Sequence, residues 1–164
     1  MHVRSENQTD AAAIRALITA AFTGAEHADG TEAEIVERLR ASDGLSISLV
    51  AIEDGEIVGH VAFSPVSLGR APGYYGLGPV AVHRDHRRRG VGAELIRTGL
   101  DQLRDRGAKG CVVLGDPAYY RRFGFACDER VTLAGVPAEY FQILRLTDSG
   151  DVGAVRYHPA FGIE

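Results

Sequence analysis

Lysine, cysteine and long apolar runs are all scarce in this chain. Lys109 is the only lysine, so arginine carries nearly all the positive charge. That bias reads first as codon usage, and as chemistry only where arginines cluster. The two cysteines, Cys111 and Cys127, lie far apart and form no CxxC pair. Such spacing argues against a zinc site or a disulfide framework, so no metal is expected and both thiols are read as buried small hydrophobes. No stretch is long and apolar enough to span a bilayer, and no signal-peptide pattern opens the chain, so a cytoplasmic protein without a membrane partner is expected. Basic charge is not in surplus either. A net charge of -4 argues against a general nucleic-acid partner. Repeats, linkers and low-complexity tracts are absent. What remains is 164 residues, 45% hydrophobic and 24% charged, which suits one domain, residues 1–164, with a sizeable core.

Periodicity supplies the elements. A short strand is expected over 1–5, then a helix over 10–22 capped by Thr9 or Asp10, with Ile14, Leu17, Ile18, Ala21 and Phe22 on its apolar face. Thr31 and Glu34 have capping-box spacing ahead of a second helix that turns Ile35, Val36 and Leu39 inward. Asp54 and Gly55 mark a hairpin between strands over 45–52 and 56–68, with a fraying end or bulge at Pro65 and a loop over 69–73. A strand over 77–82 precedes a helix over 90–106, whose face is Val91, Leu95, Ile96, Leu100 and Leu103. An apolar strand over 110–114 suits the middle of a sheet. Asp116 and Pro117 then open a short helix that stops at Gly124. Strands over 129–133, 140–146 and 153–157 complete an α/β pattern, a mixed central sheet with helices on its faces.

The informative stretch joins the 77–82 strand to the helix after it. Between them lies a basic, glycine-bearing turn of Arg87, Arg88, Arg89, Gly90, Val91 and Gly92. A strand, a glycine turn and a helix N-terminus together make an anion site. The first amides of the helix lack partners within it, and its dipole favours negative charge there. Glycine lets the backbone approach the anion closely.

The string VAVHRDHRRRGVGAEL resembles the acetyl-CoA signature of the GNAT superfamily of N-acetyltransferases, Arg/Gln-x-x-Gly-x-Gly/Ala, with Arg87, Gly90 and Gly92 in the matching places. YYRRFGF is similar to a second landmark of the superfamily, a Tyr four residues before Gly-Phe, here Tyr120, Gly124 and Phe125. LGPVAV, VVLGDPAYYRRFGF and RYHPAF together look like a small branch of predicted bacterial acetyltransferases. The resemblance implies the GNAT fold, with splayed central strands that bind acetyl-CoA as co-substrate. It implies amides over Arg88, Arg89, Gly90, Val91, Gly92 and Ala93 on the pyrophosphate, with Arg87 beside them. It also implies strand-like pairing of the pantetheine arm with Val80, Ala81 and Val82, in the gap before the strand that carries Cys111 and Leu114.

The implied reaction transfers the acetyl group to a primary amine of a small molecule or peptide by direct attack on the thioester. Tyr120 is implied as the proton donor to the leaving thiolate, with Tyr119 its off-register neighbour. Relatives carry a strand carboxylate as general base, but Tyr74, Tyr75, Gly76 and Leu77 offer none here. Glu26, His27, His60, His158 and a water chain stay open for that role, although His60, in the apolar strand GHVAF, reads first as a core or pocket-wall histidine and His158, before Pro159, as a turn histidine. His83 and His86 are read as solvated, and Asp116 as a helix cap. Glu26, Asp29 and Glu32 suggest an acidic rim for a cationic amine. A non-catalytic acyl-CoA-binding or sensing module is the alternative, and the closing YHPAFGI segment would suit a homodimer interface.

Overall fold

The computed structural model describes residues 1–25 and 30–162. Among them are eight strands and four α-helices in the order β1 (His2–Ser5), α1 (Ala11–Phe22), α2 (Glu32–Ala41), β2 (Ile47–Glu53), β3 (Glu56–Leu68), β4 (Ala71–Val82), α3 (Val91–Asp105), β5 (Gly110–Leu114), α4 (Pro117–Tyr120), β6 (Val131–Thr132), β7 (Phe141–Arg145) and β8 (Gly153–Arg156). No described helix is long and apolar enough to cross a membrane. The chain divides into two units, one holding residues 1–63 and 78–99, the other 64–77 and 100–164.

In the first unit β2 pairs antiparallel with β1 and β3, with Val3 opposite Ala51 and Val50 opposite His60. Alternate residues of a strand face opposite sides. On one side Val50, Ile52, Ala62 and Ala81 pack against Ile14, Leu17, Ile18, Ala33 and Val36 from α1 and α2. On the other, glycines let α3 lie close. A Cβ at Gly59 would sit 2.7 Å from Cγ1 of Val91, and one at Gly99 would sit 2.1 Å from Cε1 of Phe63.

The second unit is built on β5. It pairs in parallel with β4 from Tyr74 opposite Gly110 to Leu77 opposite Val113, and antiparallel with β7. β8 runs antiparallel to the end of β3 and parallel to β6. Val66, Leu68, Tyr74, Val112, Phe141, Ile143 and Val155 form its core.

Several local expectations need correction. α2 is capped without a side-chain bond from Thr31, so the expected capping box there does not form. A capping box does form at Asn7 and Asp10, where the Asn7 amide donates to Asp10 and the Asn7 side chain accepts from the Thr9 amide. Ile35 is only half-buried, and Ala33 takes its place in the core. β4 begins at Ala71 rather than at residue 77. Its Pro72 and Gly73 resemble loop residues, but the amide of Lys109 donates to the Gly73 carbonyl at 2.7 Å and holds that segment extended. β6 shrinks to two residues. Cys111 is buried as expected, whereas Cys127 is exposed.

Candidate active site

The turn after β4 is an ordered loop. The amide of His83 donates to the Val58 carbonyl at 2.8 Å, and Nδ1 of His83 accepts from the Asp85 amide at 3.1 Å. Nε2 of His86 lies 3.4 Å from the Glu53 carboxylate, and the ring is partly buried rather than solvated. Arg88 and Gly90 then take the left-handed conformation, at φ 65° and 80°. The Glu94 amide donates to the Gly90 carbonyl at 3.0 Å and starts α3 there. The amides of Val91, Gly92 and Ala93 therefore fall in the first helical turn, where intrahelical partners do not exist. Arg88, Arg89 and Gly90 are exposed beside them. A Cβ at Gly90 would meet nothing within 4 Å, so the backbone is open to an incoming group. Successive amides beside left-handed residues form an anion-binding concavity, and the helix dipole adds to it.

The structure gives Arg87 a different task from its neighbours. Its guanidinium donates to the Ala21 carbonyl at 3.1 Å and to the Val82 carbonyl at 3.4 Å. It fastens the turn to the end of α1 and to the end of β4. Val80 and Val82 are half-buried and Ala81 is buried in the first unit's core. These residues and 87–93 are thus gathered in one continuous segment.

Tyr120 belongs to the second unit, at the end of α4. Asp116 caps that helix, accepting from the Ala118 amide at 2.9 Å. Gly124, at φ 99°, ends the following turn. The Tyr120 ring stands edge-on to Tyr119 at 5.1 Å and to Phe125 at 5.9 Å. Its other support is Gly115, where a Cβ would lie 2.6 Å from Cε2 of the tyrosine. Gly115 is itself held at both backbone groups. Its amide donates to the Tyr140 carbonyl at 2.9 Å, and its carbonyl accepts from Nε2 of buried Gln142 at 2.9 Å. Burial, with smaller contributions from Tyr119 and Cys111, pushes the Tyr120 phenol up to about 12. Tyr119 instead carries the Arg122 guanidinium over its ring at 4.3 Å.

The candidate bases fare unevenly. His60 is fully buried, and its Nε2 lies 2.8 Å from the Ser48 hydroxyl. Ser48 donates onward to Glu6, which is paired with Arg40 at 2.8 Å and 3.0 Å. Burial lowers the His60 imidazole to about 4, against the opposing pull of Glu6. Its neutral ring is part of a core network. Nδ1 of His158 accepts from the Ala160 amide at 3.0 Å, which makes it the cap of the closing turn. Glu26, His27 and Asp29 lie outside the described residues. Gly115 and Gln142 were not foreseen, since a lone glycine after an apolar strand gives no hint of an aromatic ring against it.

Residues 11–125 match the family described as the acetyltransferase (GNAT) family. The chain belongs to this family. It is 38% identical over 170 residues to YhbS of Escherichia coli K12, described as an uncharacterized N-acetyltransferase, with 98% of both chains covered. Among solved structures, a GNAT acetyltransferase of Brucella melitensis in complex with acetyl-CoA is 48% identical, with a TM-score of 0.87 over 98% of this chain and 97% of that one. YhbS of Escherichia coli in complex with CoA is 37% identical, with a TM-score of 0.90 over 98% and 91% of the two chains. The α/β arrangement described above is the GNAT fold.

Proposed function

We propose that this GNAT protein transfers the acetyl group of acetyl-CoA to a primary amine of a small molecule or peptide. The open backbone at Gly90, with the first-turn amides of α3 beside it, is the observation that carries the reading. It supplies what a pyrophosphate requires, and relatives at 48% and 37% identity were solved with acetyl-CoA and CoA. Acetyl-CoA, when bound, supplies an activated acetyl thioester. Amides over Arg88, Arg89, Gly90, Val91, Gly92 and Ala93 hold its pyrophosphate, Val80, Ala81 and Val82 pair with its pantetheine arm, and Arg87 positions the turn.

Over the whole reaction the amine nitrogen loses a proton, a C–N bond forms, the C–S bond breaks, and sulfur gains a proton. Tyr120 is assigned to the sulfur. With its phenol at about 12, and a free thiol near about 8.5, Tyr120 keeps its proton and stabilises the departing sulfur mainly as a hydrogen-bond donor.

A second reading, an acyl-CoA sensor without turnover, draws support from the bases. His60 is sealed in the core and His158 is occupied as a cap. Thiol release from acetyl-CoA across an amine panel separates the two. Turnover on any primary amine supports the transferase. Tight acetyl-CoA binding with no turnover on the whole panel overturns it in favour of the sensor.

A further inference from the structure

We infer that the second unit carries an anion-binding site built on Arg70 and Arg156, made of different residues from the turn before α3. A cavity of about 370 Å³ is lined by Ser67, Arg70, Tyr75, Arg156, Tyr157 and His158, among others, and no carboxylate lines it. The pairing of β3 with β8 brings both arginines to this cavity. Ser67 pairs with Arg156 and Leu68 with Val155 across β3 and β8. The Gly69 amide donates to the Ala154 carbonyl at 2.9 Å, which ties the turn bearing Arg70 to the strand bearing Arg156.

Neither arginine is ion-paired among the described residues, although the chain as a whole is acidic. Two carboxylates of the same unit are engaged elsewhere. Asp128 holds Arg130 at 3.0 Å and Arg145 at 3.3 Å, while Asp151 accepts from Tyr74 at 2.8 Å and faces Lys109 at 3.7 Å. Two guanidinium groups at one cavity, with hydroxyl-bearing Ser67, Tyr75 and Tyr157 in its lining, match a phosphate or a carboxylate. The ligand class is therefore a small molecule bearing one of these groups.

The test titrates inorganic phosphate, and separately succinate, at constant ionic strength into three forms of the protein: the unaltered chain, the Arg70→Ala/Arg156→Ala double variant, and Gly90→Val. Both arginines are exposed, so the double variant is expected to fold, and acetyl-CoA binding serves as its control. The double variant should bind at least one of the two anions about tenfold more weakly or worse, while Gly90→Val retains that binding. The anion whose binding is lost identifies the group, phosphate or carboxylate. Equal binding by the unaltered chain and the double variant, or no binding of either anion, overturns the inference. Failure of the acetyl-CoA reading would show instead as unchanged acetyl-CoA affinity in Gly90→Val, so the two failures are distinct.

Discussion

Gly115 lies against the ring of Tyr120, so close that a Cβ on the glycine would come 2.6 Å from Cε2. The glycine is fixed at both its amide and its carbonyl, so it cannot yield. Gly115→Ala should therefore displace the tyrosine. We expect kcat to fall about tenfold or more with little change in acetyl-CoA affinity. Thiol-release kinetics beside calorimetric titration would check this, and an alanine variant with full turnover would remove Tyr120 from the chemistry.

Tyr120→Phe should lower kcat by about 10²-fold. The pH profile is the sharper measurement. A phenol raised to about 12 stays protonated across the working range, so Tyr120 should produce no alkaline limb below pH of about 11. A limb near pH 8 to 9 that disappears in the phenylalanine variant would contradict the raised phenol, and a profile and turnover unchanged in that variant would contradict the donor role.

Gly90→Val places a β-branched residue at φ 80° and a side chain over the open amides. Acetyl-CoA affinity should fall by at least about tenfold, with a stability cost of about 1–3 kcal/mol. Titration calorimetry and thermal melts read the two effects apart, and intact affinity would mean the pyrophosphate lies elsewhere.

His60 makes the fold sensitive to acid. Its folded-state pKa of about 4 lies below the unfolded value of about 6.5, so the unfolded chain takes up a proton first as pH falls. Its stabilising contribution is complete above pH of about 6.5 and is lost between there and about 4, for a total of about 3 kcal/mol. Glu6 extends the loss to lower pH: burial opposes its ionisation, but hydrogen bonds from Arg40 and Ser48 outweigh burial and lower its pKa. Denaturant melts from pH 8 to 4 should show this limb, and His60→Gln should flatten it. An equally steep limb in the glutamine variant would assign the effect to other groups.

Gly99→Ala would drive a methyl into the Phe63 ring, where the Cβ position is 2.1 Å from Cε1. Overpacking of this kind costs about 1–3 kcal/mol, and a thermal melt with an unshifted midpoint would refute it.

Much of the fold could be read in advance because its strongest signals are local. The apolar face of α3 appears at the expected five positions, since Val91, Leu95, Ile96, Leu100 and Leu103 are all buried. The strand after Gly55 ends at Leu68 as expected, with Pro65 inside it. Signals decided by distant contacts were missed. Gly59 and Gly99 are each dictated by a side chain far along the chain, Val91 and Phe63. The first half of β4 is held by Lys109, which no reading of GRAPG alone can supply. In the candidate site, the turn was legible because glycine and helix start are neighbours in sequence. The core position of His60 was legible from its apolar strand, GHVAF, but its partners were not, since Ser48 and Glu6 come from other strands and loops.

Arg87 changes what the first letter of the signature means. Its planar N–H groups reach two main-chain carbonyls, one at the end of α1 and one at the end of β4. Glutamine, the residue's alternative in that signature, is uncharged but also offers a planar N–H donor. In this chain Arg87 serves as a strut of fixed geometry between two carbonyls. By that logic Arg87→Lys should loosen the turn although it preserves the charge, since an ammonium loses the planar fork.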